Sequence, residues 1–143
     1  MSDDRILFNT DSENSYDRVF SNFTRHPVTF GGRTYSIVEH AFQSQKTIFP
    51  GERKVVFSAP TPGKAKRAGR AVTLRDDWND VKYSVMLALL WLKFTQHAGI
   101  QQILLDTEDR EIAEHASRWN DRIWGLGRAM NGQNLLGKAL MEV

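Results

Sequence analysis

The stretch YSIVEHAFQSQK, Tyr35 to Lys46, carries two patterns at once. At about 100° of rotation per residue, Glu39, Gln43 and Lys46 fall within an arc of roughly 60°, and Val38, Ala41, Phe42, Ile48 and Phe49 occupy the neighbouring sector. The period predicts a helix from about Ser36 to Thr47 that stops before Pro50-Gly51. A carboxylate, an amide and an amine then share one line. Ser36 and Glu39 also fit an S-x-x-E capping box, in which Glu39 is only a helix start. That reading leaves Lys46 unexplained, because ion pairs along a helix want a spacing of three or four residues. Lys46 would stand about 10 Å further along the axis, where it and Glu39 could flank a ligand.

Outward from this helix, Ile6 to Phe8, Val28 to Phe30 and Thr34 to Ser36 read as short strands, the last two around Gly31-Gly32. Thr61-Pro62 has the cap-then-proline form of a helix start. Asp76 or Asp77 can cap a long helix from about Trp78 to His97, closed by Gly99. Its run VMLALLWLKF, Val85 to Phe94, is apolar on nearly every side, which predicts a buried central element with Trp91 in the core. Shorter helices are expected over Ile100 to Leu105 and Asn134 to Met141, and Ile112 to Ala116 fits strand or helix equally. WNDRIWGLGRAMNGQN, Trp119 to Asn134, has three glycines and suggests a loop shaped to approach something. The fold class that follows is mainly α with a small β component.

With 143 residues and no linker, repeat or low-complexity tract, the chain is expected to form one compact domain over residues 1–143. Its beginning lacks the basic start and long apolar run of a secretory signal, and Val85 to Phe94 is about half the length of a bilayer crossing. The expectation is a soluble, cytoplasmic protein with no membrane partner. Cysteine is absent, which excludes disulfides, thiolate catalysis and Cys-based zinc sites. A formal net charge of +2 does not imply a general polyanion binder.

His26, His40, His97 and His115 show no metal-ligand spacing, and the chain has no G-x-S-x-G elbow or phosphate loop. Lys66, Arg67 and Arg70 share a helix face that could meet phosphates or simply be solvated. Trp78 and Trp124 could stack on a base or sugar at a cleft edge. Asp121, in a loop beside an aromatic, could sit near developing positive charge or be a solvated turn residue.

Taken in order, FSNF (Phe20 to Phe23), EHAFQSQK (Glu39 to Lys46), TPGKAKRAGR (Thr61 to Arg70), LRDDW (Leu74 to Trp78), KF (Lys93-Phe94), LLDT (Leu104 to Thr107), DRIWG (Asp121 to Gly125) and NGQNLLGKALM (Asn131 to Met141) resemble the YbiA-like or NADAR (NAD and ADP-ribose associated) family. The resemblance runs from about Ile6 to Glu142. It implies a mainly helical N-glycosidase fold acting on N-ribosides: ribosylamino-pyrimidine phosphates of riboflavin synthesis, or ADP-ribosylated guanine and related adducts. By motif match Glu39, Trp78 and Asp121 correspond to functional residues, and Lys46 to a lysine that bonds opened ribose. Asn22, Phe23, Gln43, Arg70, Trp124, Gly125 and Asn134 would bind substrate. Departures at Asn9, at Ile123 and in HASRWN, His115 to Asn120, bear on substrate identity more than on reaction class.

The expected chemistry uses Glu39 or Asp121 as general acid and base, with the other steadying oxocarbenium-like charge. Lys46 would be a Schiff-base nucleophile, and no cofactor or metal is required. The expected partner is a small-molecule N-riboside or an ADP-ribosylated nucleobase, possibly within nucleic acid. The rival from another class is a non-catalytic ADP-ribose or nucleic-acid reader, whose nucleic-acid affinity would fall steeply with salt.

Overall fold

The computed structural model describes residues 5–8, 18–115 and 121–143. Arg25–Gln96 forms one compact unit, and the described parts of Met1–Thr24 and His97–Val143 form another. The described residues hold six helices and four three-residue strands, so the fold is mainly helical with a little sheet.

The Arg25–Gln96 unit begins with a hairpin. Strands β2 (Val28–Phe30) and β3 (Arg33–Tyr35) pair antiparallel, with Val28 opposite Tyr35. Both turn residues, Gly31 and Gly32, have positive φ (60° and 81°), the conformation a two-residue hairpin turn requires. The Thr29 and Thr34 hydroxyls bond across the strands at 2.8 Å.

Helix α1 (Val38–Ser44) follows, and all of its residues are buried. It starts two residues later than the periodicity predicts, because hairpin pairing keeps the chain extended through Tyr35 and Ile37 (φ −140°, ψ 134°) is the N-cap. No side chain caps it, so the Ser36–Glu39 capping box does not form. The helix also ends early, at Ser44. Gln45 N–H bonds to Phe42 O at 3.1 Å and Lys46 N–H to Gln43 O at 3.2 Å, the tightened turn common at helix ends. Lys46 therefore sits in the turn after the helix. Ile48 and Phe49, expected on its apolar flank, are exposed.

Pro50 opens a helix that the pattern did not anticipate, α2 (Pro50–Phe57), with the proline at its first position. In α3 (Pro62–Ala71), the Thr61 hydroxyl accepts from Lys64 N–H at 3.1 Å, as the cap-then-proline pattern predicts. The long helix α4 (Trp78–Gln96) buries Trp78, Met86, Leu89, Leu90, Lys93 and Phe94. Trp91 is 56% exposed, which corrects its expected place in the core. The buried stripe centres near Met86, Leu90 and Lys93, and Trp91 projects roughly 140° away from that direction.

In the other unit, β1 (Ile6–Phe8) pairs in parallel with β4 (Ile112–Glu114), which settles the open choice for that segment as strand. Phe8 meets Phe20 edge-on at 5.8 Å between ring centroids. Helix α5 (Ala98–Leu105) is capped by His97, so Gly99 lies inside its first turn and does not close α4. Helix α6 (Leu135–Glu142) follows Asn134, whose backbone is left-handed (φ 55°). No described helix is long and apolar enough to cross a membrane.

Candidate functional site

Five of the expected site residues belong to the Arg25–Gln96 unit: Glu39, Gln43, Lys46, Arg70 and Trp78. Burying a whole helix forces its polar side chains to find partners inside. Glu39 and Gln43 are 6% and 4% exposed, and Gln43 Nε2 donates to Glu39 Oε1 at 2.7 Å. That bond orients the amide. Its other end, Oε1, is buried and has no hydrogen-bond partner among the described residues. His40 binds elsewhere, with its Nε2 donating to the Ala59 carbonyl at 2.9 Å. The polar line legible in the sequence is thus half a buried pair, Glu39–Gln43, and half a turn residue, Lys46.

Lys46 is half-buried, and its carbonyl accepts from Arg75 N–H at 2.7 Å, which joins the end of the EHAFQSQK segment to LRDDW. Trp78 is buried, with its ring 5.1 Å from that of Phe42 on α1. Asp77, considered as a cap for α4, directs its carboxylate to Arg75 instead (Nε at 2.5 Å, a second nitrogen at 3.0 Å). The Arg75 hydrogen bond holds that carboxyl below its ordinary value, and the same bond raises Arg75. Arg67 and Arg70 are exposed on α3 and Lys66 is half-buried.

Lys93 of the KF motif is a further polar residue inside the Arg25–Gln96 unit. The side chain is fully buried on the inner face of α4, and burial pushes its pKa down to about 7. Its signal was available: a lysine three and four residues after Leu90 and Leu89 on an otherwise apolar stripe.

The remaining expected residues, Asn22, Phe23, Asp121, Trp124, Gly125 and Asn134, belong to the other unit. Asp121 Oδ1 accepts from the N–H groups of Ile123 (3.0 Å) and Trp124 (2.9 Å), so this carboxylate shapes its own turn. Gly125 is buried and its carbonyl accepts from Asn134 N–H at 3.1 Å. The Asn134 amide donates to Ile112 O (3.0 Å) and accepts from Glu114 N–H (3.1 Å), fastening β4 to the start of α6. Gly137 is tied to this arrangement, since a Cβ there would meet Ile112 O and the Asn134 amide. Asn22 is buried and Phe23 half-buried. Asn9, Trp119 and Asn120, with most of HASRWN, lie outside the described residues. Among the described residues no group of three or more His, Asp or Glu could hold a metal ion.

Similarity to known proteins extends over the whole chain. N-glycosidase YbiA of Escherichia coli is 38% identical over all of this chain and 88% of its own length. An N-glycosidase of Nostoc punctiforme is 36% identical over 87% of this chain and 81% of its own. A riboflavin biosynthesis protein of Vibrio vulnificus is 33% identical over 86% of this chain, which corresponds to 34% of that longer protein. The NMR structure of E. coli YbiA superposes on 99% of this chain with a TM-score of 0.82 and 37% identity, using 83% of that structure. The family model described as the NADAR domain matches residues 7–143, and the chain belongs to the NADAR domain family.

Proposed function

We propose that this NADAR protein is an N-glycosidase that cleaves the bond between ribose and a nitrogen base, with Glu39 transferring the proton and Lys46 acting as the nucleophile. The single observation that supports the assignment is the Glu39 carboxylate itself, almost removed from water on α1 and held by the Gln43 amide at 2.7 Å. Such a carboxylate is unsuited to a surface role and suited to proton transfer in a closed site. Lys46 follows two residues after the end of that helix.

In the proposed sequence, Glu39 protonates the ribose ring oxygen, the bond from C1 to that oxygen breaks, and the lone pair of the base nitrogen leaves C1 as an electrophilic iminium carbon. The Lys46 amine, once it has given up its proton, attacks C1 to form an aminal; the C1–N bond to the base then breaks as the base nitrogen takes up a proton, leaving an imine between C1 and Lys46. Water then hydrolyses the lysine imine and releases the sugar. Trp78 shapes the wall behind α1. The resemblance assigns Asp121 a functional place as well, and since its Oδ1 already holds a turn, Asp121→Asn should be read for folding and turnover together. The substrate class is a ribosylamino-pyrimidine phosphate or an ADP-ribosylated guanine nucleoside. The riboflavin name of the Vibrio relative favours the first.

Both substrates are incubated with the protein, base release is followed by chromatography, and borohydride is added to trap the imine. The expected result is base release, with a reduced sugar adduct on the peptide carrying Lys46. Full turnover by Lys46→Ala would remove the covalent step, and full turnover by Glu39→Gln would remove Glu39 as the acid. Tight retention of intact substrate without base release would replace catalysis with recognition.

A further inference from the structure

We propose that Gly69 on α3 is a positioning residue for Glu39, acting through Gln43. The inference rests on the reading of Glu39 as the proton-transfer group. Gly69 is buried, and the place its missing side chain would take is filled by Gln43: a Cβ built there would fall on Gln43 Oε1 and lie 2.9 Å from Cδ and 3.1 Å from Cβ of the same side chain. Real Cβ contacts are almost never so short, so any other residue at 69 must displace Gln43 or push α3 away from α1.

The geometry makes this displacement bear on chemistry. Among the described residues the Gln43 side chain makes one hydrogen bond, from Nε2 to Glu39 Oε1. Its Oε1 lies against Gly69, with no hydrogen-bond donor among the described residues. The amide is therefore held by the carboxylate at one end and by contact with a bare Cα at the other. A methyl group at 69 cannot share the space of Oε1, so the amide must rotate or shift off the geometry in which it donates to Glu39. The position in α3 does not itself demand glycine, for Gly69 is not among the glycines with positive φ. Glycine in a helix interior costs roughly 0.5–1 kcal/mol relative to alanine, so a local backbone preference would favour the larger residue.

The test compares wild type, Gly69→Ala, Gln43→Ala and the double variant, using turnover of whichever N-riboside the wild type cleaves and 13C NMR titration of the Glu39 carboxyl. The titration needs no substrate. Gly69→Ala should lower kcat by about tenfold to hundredfold with little change in KM, the size expected when a catalytic group is misplaced by about an ångström. It should also move the Glu39 titration upward from wild type, because the ionised carboxylate loses a donor. In the Gln43→Ala background, which removes the obstructed side chain, Gly69→Ala should change neither quantity further. A purely structural glycine would lower the melting temperature while leaving the titration where it was. Independent, additive effects of the two substitutions, or an unmoved Glu39 titration in Gly69→Ala, would overturn the proposal. If wild type releases no base, or Glu39→Gln keeps full rate, the function reading fails instead, and the titration still decides whether Gly69 sets the environment of Glu39.

Discussion

Lys93 should make this protein more stable as the pH rises from neutral. Its amine is fully buried on α4, and burial lowers its pKa from 10.5 to about 7. Below about pH 7 both the folded and the unfolded chain carry the proton, and folding must bury a charge at full cost. Between about 7 and 10.5 the unfolded chain holds a proton that the folded chain has shed, so stability rises with pH. Above that range the amine is neutral in both states. The gap between 10.5 and about 7 corresponds to about 5 kcal/mol at about 1.36 kcal/mol per pH unit, an upper bound that relaxation and water entry reduce. Replacing the amine by an apolar side chain of similar length removes the dependence. Urea unfolding of wild type and Lys93→Met at half-unit steps from about pH 6.5 to 9.5 should show the variant ahead at the acid end, with its advantage shrinking by about 1.5–3 kcal/mol towards the basic end. Parallel stability curves across that range would show that Lys93 keeps its charge in the folded protein and would refute the reasoning.

Other substitutions separate surface from core. Trp91→Gln should change unfolding stability by less than about 0.5 kcal/mol, while Trp78→Ala, which empties the space beside Phe42, should cost about 3–5 kcal/mol by the same urea titration. Thr61→Ala should cost about 1 kcal/mol and lower the melting temperature by a few degrees, since it deletes the hydroxyl that caps Lys64 N–H. Gly137→Ala should cost about 1–3 kcal/mol and reduce hydrogen-exchange protection of the Glu114 amide, because the added methyl meets the Asn134 side chain that accepts from it.

Where a sequence signal depended on a few adjacent residues, it could be read directly. Thr61-Pro62 forms its cap, Gly31-Gly32 forms the hairpin turn, and the short strands at Ile6 and Val28 lie where their apolar residues suggest. The errors came where a neighbour in space overruled a local pattern. The β3 pairing of Tyr35 keeps Ser36 out of the helix, so the S-x-x-E signature is present without its box. Trp91 looked internal because its helix is apolar all round, yet only one stripe of α4 is covered. Pro50 follows the end of one helical pattern and also starts a helix, two roles that the identity of the proline alone does not distinguish.

From residues alone came the mainly helical class, the kinship carried by an ordered set of motifs, and the placing of Glu39 and Gln43 on one line of a helix, since spacings of three and four on a helix are set by its geometry. Tertiary packing decided what those groups experience. That the whole of α1 is buried, that Lys93 lies in the interior, that Gln43 fills the space left open at Gly69, and that Asn134 is taken up with holding β4 all depend on which surfaces meet. Helical period records the direction of a side chain around its own axis. The loss of water that alters its chemistry is imposed by segments distant in sequence, and no local pattern encodes it.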